Sequence, residues 1–188
     1  MDDFFSLLTD EFNPALADRP LWLLDIDGVV NAYAKPKPAR RTSPRYPDLT
    51  AYTVHERDTG PGWQFWVSPT LLAELQALHA SGRVEIAWLT TWERAAQTRV
   101  EPALGLPRFP VAGTSGGRRS DWLWKARAAT EALALHRPII WTDDEDINTH
   151  ARDAYAQSGL PHLLITPHPA AGLTPADVAA IRVFAESN

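Results

Sequence analysis

Leu21-Trp22-Leu23-Leu24-Asp25-Ile26-Asp27-Gly28-Val29-Val30-Asn31 runs an apolar segment straight into two carboxylates spaced i, i+2, with a glycine immediately after. A short, continuously apolar run of this kind reads as a central strand covered on both faces. Strand side chains alternate, so Asp25 and Asp27 would share a face if the strand continued. Gly28 signals instead a sharp turn just past Asp25. Two carboxylates crowded at a strand end repel unless a cation or a shared proton relieves them. That is costly as architecture and useful as chemistry.

Working outward, short apolar segments at 21–25, 84–89, 138–142 and 163–166, with a weaker one near 109–111, alternate with amphipathic helical segments. This alternation predicts an α/β fold with a mainly parallel central sheet between two helical layers. The helices carry punctuation. Ser68-Pro69 opens a helix over 71–79 and Ser81-Gly82 closes it; Thr91 is the expected cap of 92–100 and Ser120 of 121–135; Thr174-Pro175 with Asp177 opens 176–185. Residues 31–67 break the rhythm. They are rich in Pro and polar residues and read as an arm leading into a hairpin, with strands at 52–54 and 63–67 around an Asp58-Thr59-Gly60-Pro61-Gly62 turn. The expected organisation is one domain over 1–188, with 31–67 as an arm and hairpin flap inserted into it.

Composition narrows the function classes. At 188 residues and 45% apolar, with 8 Trp, the chain is expected to fold around a sizeable core. The net charge of −5 gives no general signal for nucleic acid. The absence of cysteine excludes disulfide-linked partners, thiolate catalysis and cysteine-held zinc. No segment approaches the ~20 apolar residues of a membrane span. The acidic N-terminus lacks the basic region of a signal peptide, so a soluble, cytoplasmic protein is expected.

Three further features join the opening stretch. Ile86-Ala87-Trp88-Leu89-Thr90-Thr91 is an apolar strand ending in hydroxyls, Lys125 lies in the helix over 121–135, and Ile139-Ile140-Trp141-Thr142-Asp143-Asp144-Glu145-Asp146 is an apolar strand ending in an acidic cluster. Open α/β sheets place ligand chemistry beyond the carboxyl ends of their strands, where three of these four features converge. Asp25, Asp27 and Asp143 offer hard oxygen ligands suited to Mg²⁺. Thr90 and Lys125 suit phosphoryl oxygens. An aspartate can attack phosphorus to give an aspartyl phosphate, while a neighbouring carboxylic acid protonates the leaving oxygen and later activates water. Taken singly, each feature has a plainer reading: a turn, a helix cap at Thr91, a solvated lysine, the acidic first turn of a helix over 143–146. Their sequence order favours the chemical one.

In that order and spacing the chain resembles the haloacid dehalogenase (HAD) superfamily of phosphatases, from about residue 20 to the end. The resemblance implies that Asp25 is the nucleophile, Asp27 the acid/base residue, Thr90 the second-motif hydroxyl and Lys125 the third-motif lysine. It makes Asp143-Asp144 the acidic pair that holds Mg²⁺ together with Asp25 and Asp27. Receiver domains begin with an adjacent acidic pair, and Toprim domains place a glutamate before their Asp-x-Asp; neither order fits. More narrowly, Asp25-Ile26-Asp27-Gly28-Val29-Val30-Asn31, Trp88-Leu89-Thr90-Thr91-Trp92 and Gly172-Leu173-Thr174 are similar to the HAD domain of Swiss Army Knife RNA-repair proteins. This implies a nucleic-acid end or nucleotide phosphate as substrate, RNA or DNA ends as partners, and Mg²⁺ as cofactor.

The spacing from Thr90 to Asp143 leaves no room for a second cap, and the first insertion suits a hairpin flap better than a full cap. An open site of that kind admits a phosphate on a large molecule. Lys35, Lys37, Arg40, Arg41 and Arg45 in the arm, with Arg118 and Arg119 on a second loop, form expected phosphate-backbone contacts, and Thr91 lies beside them as a substrate-binding candidate. Trp63, Trp66 and Trp92 are candidate base-stacking platforms, with burial in the core as the competing reading. The six His show no metal-ligand spacing. A small-metabolite phosphatase and a non-catalytic phosphate- or protein-binding module are the alternatives. The presence of both Asp25 and Asp27 argues against the binding module, which needs neither a nucleophile nor an acid.

Overall fold

The computed structural model describes residues 12–33, 46–55, 61–117, 121 and 123–188. Its strands and helices in chain order are β1 (Leu21–Leu24), β2 (Thr50–Val54), β3 (Trp63–Val67), α1 (Pro69–Ser81), β4 (Glu85–Trp88), α2 (Glu101–Leu104), α3 (Trp124–Glu131), β5 (Ile139–Thr142), α4 (Thr149–Ser158), β6 (His162–Ile165) and α5 (Pro175–Ser187). The central sheet has the order β4-β1-β5-β6, every neighbouring pair parallel, while β2 and β3 form a separate antiparallel hairpin.

The apolar strands are explained by burial on both faces. From β1, Trp22 and Leu24 face one side, where they join Ile86, Trp88 and Ile140, Leu75 of α1, Ile181 of α5 and the hairpin residues Val54, Phe65 and Val67. Leu21 and Leu23 face the other, with Ala87, Ile139 and Trp141 against Ala128 and Ala129 of α3 and Tyr155 of α4. This is the expected three-layer α/β/α arrangement around a parallel sheet. Each strand alternates its side chains between two apolar layers, so the run stays apolar throughout. Two of the buried tryptophans pair their N–H groups: Trp22 Nε1 donates to Thr142 Oγ1 at 3.0 Å and Trp88 Nε1 to Glu101 Oε1 at 2.8 Å, whereas Trp141 Nε1 is buried without a partner among the described residues. Among the described residues, no helix is long and apolar enough to cross a membrane.

The helix punctuation holds at both ends of the chain. Ser68 accepts from the Leu71 N–H, Pro69 fills the first turn and Gly82 closes α1 in the left-handed conformation. Thr174 and Asp177 form a reciprocal capping box on α5.

Two expectations are corrected. Thr91 does not cap a helix over 92–100: Glu93 N donates back to Thr90 O at 3.0 Å and Glu93 adopts φ 47°, so residues 91–93 form a turn. A π-helical stretch, Ala96–Val100, then leads into α2. The Glu93 conformation is held by its own side chain, which accepts from Ser115 N and Ser115 Oγ. Second, the helix expected over 121–135 starts at Trp124 and tightens into a 3-10 turn over Ala132–Leu135, and the expected cap Ser120 lies outside the described residues. The plainer reading of 143–146 as the acidic first turn of a helix also fails. Asn148 caps α4 instead, accepting from the Ala151 N–H. The weak strand near 109–111 is reduced to a single parallel bridge between Trp88 and Val111.

Candidate active site

Strand register levels the chemistry-bearing residues. Leu24 pairs with Trp88 on one side and Thr142 on the other, so Asp25, Leu89 and Asp143 stand side by side at the carboxyl edge. Asp25 and Asp143 each continue the alternation that points Leu23 and Trp141 toward α3, and Lys125 in the first turn of α3 meets them there. Lys125 Nζ lies 2.9 Å from Asp25 Oδ2, 2.9 Å from Asp143 Oδ2 and 2.8 Å from Asp146 Oδ2. Asp146 reaches the lysine because Asp143 Oδ1 accepts from both Glu145 N and Asp146 N, folding the acidic loop back on itself.

The cluster is deeply buried, with Asp25 at 3% and Asp143 at 0% exposure. Asp25 Oδ1 accepts from its neighbour's N–H, Ile26, at 2.8 Å. Burial pushes the Asp25 carboxyl up to about 7; Lys125 opposes that shift and Asp143 adds to it. Burial, followed by the charge of Asp143, likewise raises Asp144 to about 6. Burial alone would lower the Lys125 pKa, but Asp25 and Asp143 outweigh it and hold the ammonium firmly protonated.

One cation facing so many carboxylates leaves negative charge uncompensated. Asp25, Asp143 and Asp144 each place an oxygen within 4.8 Å of the others, and Asp144 Oδ2 is buried without a hydrogen-bond partner. Gly28 makes room for that carboxylate. It adopts φ 71°, and a Cβ on it would lie 2.2 Å from Asp144 Oδ2. A converging set of hard oxygen donors with an orphaned oxygen fits a divalent cation of the Mg²⁺ type.

Asp27 is held apart from this cluster. Its Oδ1 accepts from Asn31 Nδ2 at 2.8 Å and its Oδ2 from Trp92 Nε1 at 2.9 Å. Asn31 also accepts from Trp66 N at 2.9 Å and therefore ties the carboxyl to the hairpin. The loop that carries Asp27 is braced from behind, where Leu173 N donates to Val29 O at 2.8 Å. Gly172 permits that approach, since a Cβ there would sit 2.6 Å from the same carbonyl.

A family model described as the HAD domain in Swiss Army Knife RNA repair proteins matches residues 21–178. The chain belongs to this family. The HAD domain thus has a phosphatase-type fold with an acidic cluster able to hold a metal ion at its sheet edge. No curated protein and no solved structure matches the chain.

Of the residues singled out from the sequence, the HAD domain brings Asp25, Lys125, Asp143 and Asp144 into direct contact or close approach. Thr90 is fully buried just past the neighbouring strand, and Thr91 is exposed in the turn that follows. Lys35, Lys37, Arg40, Arg41, Arg45, Arg118 and Arg119 lie outside the described residues. Sequence reasoning gave no role to Asp146, Asn31 or Tyr33. The position of Asn31, four residues after Asp27 across a glycine turn, was the available signal. Tyr33 beside the loop feels the site: burial, with the charges of Asp27 and Asp144, raises its phenol to about 12.

Proposed function

We propose that this HAD domain is a Mg²⁺-dependent phosphomonoester hydrolase that works through an aspartyl phosphate on Asp25, with a nucleic-acid end or nucleotide phosphate as substrate. The observation that carries the reading is the division of the two carboxylates. Asp25 faces the lysine and the acidic cluster, whereas Asp27 faces away into hydrogen bonds from Asn31 and Trp92.

In this reading an Asp25 carboxylate oxygen attacks phosphorus and the bond from phosphorus to the leaving oxygen breaks. Asp27 supplies a proton to that oxygen. Asp27 then takes a proton from water as the water attacks phosphorus; the bond from Asp25 to phosphorus breaks, releasing inorganic phosphate. Lys125 and the Thr90 hydroxyl hold the equatorial oxygens, and Thr91 borders the entering substrate. Asp25, Asp143 and Asp144 would hold Mg²⁺; the Asp27 carboxylate, expected from the sequence to join them, is instead taken up by Asn31 and Trp92. An ion bound there would neutralise charge on the phosphoryl group and favour ionised Asp25. The nucleic-acid preference draws support from the family's description and from the hairpin flap, which leaves the site open to a phosphate on a large molecule. The basic arm and loop residues are proposed contacts for its backbone.

The functional test is phosphate release, with and without Mg²⁺, from 3′- and 5′-phosphorylated oligonucleotides, mononucleotides and an aryl phosphate. Mg²⁺-dependent release favouring the oligonucleotides is expected. Equal rates on all substrates would remove the nucleic-acid assignment, and no release from any would remove the hydrolase assignment.

The raised carboxyl groups also fix a pH dependence. Asp25 and Asp144 bind protons in the metal-free fold well above the ~4 of an unfolded aspartate. The contribution of these two carboxyl groups to the stability of the metal-free fold is therefore lost as pH rises from about 4 through about 7. Protons compete with the cation for the same oxygens, so Mg²⁺ affinity should rise over pH 5–8 and binding at pH 6 should release protons. Calorimetric titration in buffers of different ionisation enthalpy reads this directly. Affinity that is flat or falls with pH would contradict the ligand assignment.

A further inference from the structure

The HAD domain has a cavity of about 490 Å³ whose lining includes Asp27 but not Lys125. Asp27, Tyr33, Trp63, Gln64, Phe65 and Trp92 line it. Phe65 is a core residue packed edge-on against Trp92, with ring centroids 5.4 Å apart at 78°. Trp63 projects from the same face of β3 two residues earlier but is 59% exposed, as is Tyr33. Large aromatic side chains left open beside a polar site are unfavourable as architecture and useful for binding a planar group.

We infer that this aromatic slot is the subsite for the nucleoside that carries the scissile phosphate, its base stacking on Trp63 and its sugar oxygen departing beside Asp27. The inference rests on the proposed role of Asp27, because the group that receives the proton must leave on that carboxyl's side. The site has a second opening, a cavity of about 880 Å³ next to Lys125, but Glu93, Asp121, Glu145 and Asp146 line it. Among the described residues, four carboxylates against one ammonium line that opening and disfavour a phosphodiester chain, whereas Asp27 is the one acidic residue lining the aromatic slot. The slot falls in the usual range of ~300–1,000 Å³ for small-ligand sites. Gln64 at its rim adds amide donors and an acceptor for a base edge.

Trp92 joins the two halves, since its ring borders the slot while its Nε1 donates to Asp27 Oδ2. A base in the slot thus packs against the residue that orients the acid. Trp63 makes no such contact with Asp27 and is the cleaner residue to change.

The test uses the full chain with Asp25→Asn, so that ligands bind without turnover. Adenosine 3′- and 5′-monophosphates and, as the base-less probe, ribose 5-phosphate are titrated in Mg²⁺, following tryptophan fluorescence and calorimetry. At least one nucleotide should bind tenfold or more tighter than ribose 5-phosphate, in line with ~1–3 kcal/mol per stacked base. Adding Trp63→Ala should erase that advantage and Trp63→Phe should restore most of it. Because Trp63 is largely exposed, the comparison does not depend on refolding the core. Nucleotides binding no tighter than ribose 5-phosphate, or an advantage that survives Trp63→Ala, would overturn the inference. A nucleotide advantage in a protein that releases no phosphate would uphold the slot and sink the hydrolase reading instead.

Discussion

Asp25→Asn is expected to cut phosphate release by about 10⁴-fold or more, as loss of a covalent nucleophile does, while leaving the protein folded. The two effects separate because Asp25 is expensive in the metal-free structure. Burial pushes its carboxyl up to about 7, so an uncharged isostere at that position removes a desolvated charge. Lys125 keeps Asp143 and Asp146 at 2.9 and 2.8 Å. The thermal midpoint without Mg²⁺ should therefore hold or rise as activity collapses. Activity within tenfold of the parent would mean that Asp25 serves only as a ligand or a structural anchor.

The second large effect falls on stability. Lys125→Met removes the ammonium shared by Asp25, Asp143 and Asp146 and leaves three carboxylates facing each other in a nearly solvent-free site. Breaking a buried ion pair from one side costs about 3–5 kcal/mol, which corresponds to a fall in Tm on the order of 10 °C for a chain of this length. The direction with pH follows from the charges. Protons can replace the missing cation, so the loss should be smaller at pH 5 than at pH 8, and added Mg²⁺ should restore more stability to the variant than to the parent. Differential scanning calorimetry at the two pH values, with and without Mg²⁺, tests all three statements. A variant as stable as the parent at pH 8 without metal would contradict the electrostatic account of the cluster. Activity should fall as well, by roughly 10²–10³-fold, through loss of phosphoryl charge stabilisation.

Much of this was legible in the chain because the strongest signals are local. The apolar runs ending at Asp25, Thr90 and Asp143 mark strands buried on both sides, and parallel pairing then sets their ends level without further information. Lys125 was visible only through its place in the order of motifs, since nothing in its own helix distinguishes it from a solvated lysine. The failures have a common cause in contacts distant along the chain. Thr91 looked like a cap, but Ser115, more than twenty residues later, holds Glu93 in a left-handed turn that precludes it. The environment of Asp27 required Trp92, sixty-five residues away, and no spacing rule reports such a bond. Trp63 and Trp92 were read as a choice between core and platform. The structure makes Trp92 half-buried and bonded to the acid, and leaves Trp63 open at the rim of the slot.

The central claim is a phosphoryl group carried by Asp25, and trapping it is the most direct test. An aryl phosphate with a good leaving group needs no proton from Asp27 for the first step, whereas the second step needs Asp27 to activate water. Asp27→Asn should therefore accumulate the aspartyl phosphate when mixed with Mg²⁺ and an aryl phosphate. Intact-protein mass spectrometry after an acid quench, followed by peptide mapping, should show one added phosphoryl group on Asp25 that hydroxylamine removes. No adduct under these conditions, or an adduct on any other residue, would contradict the account.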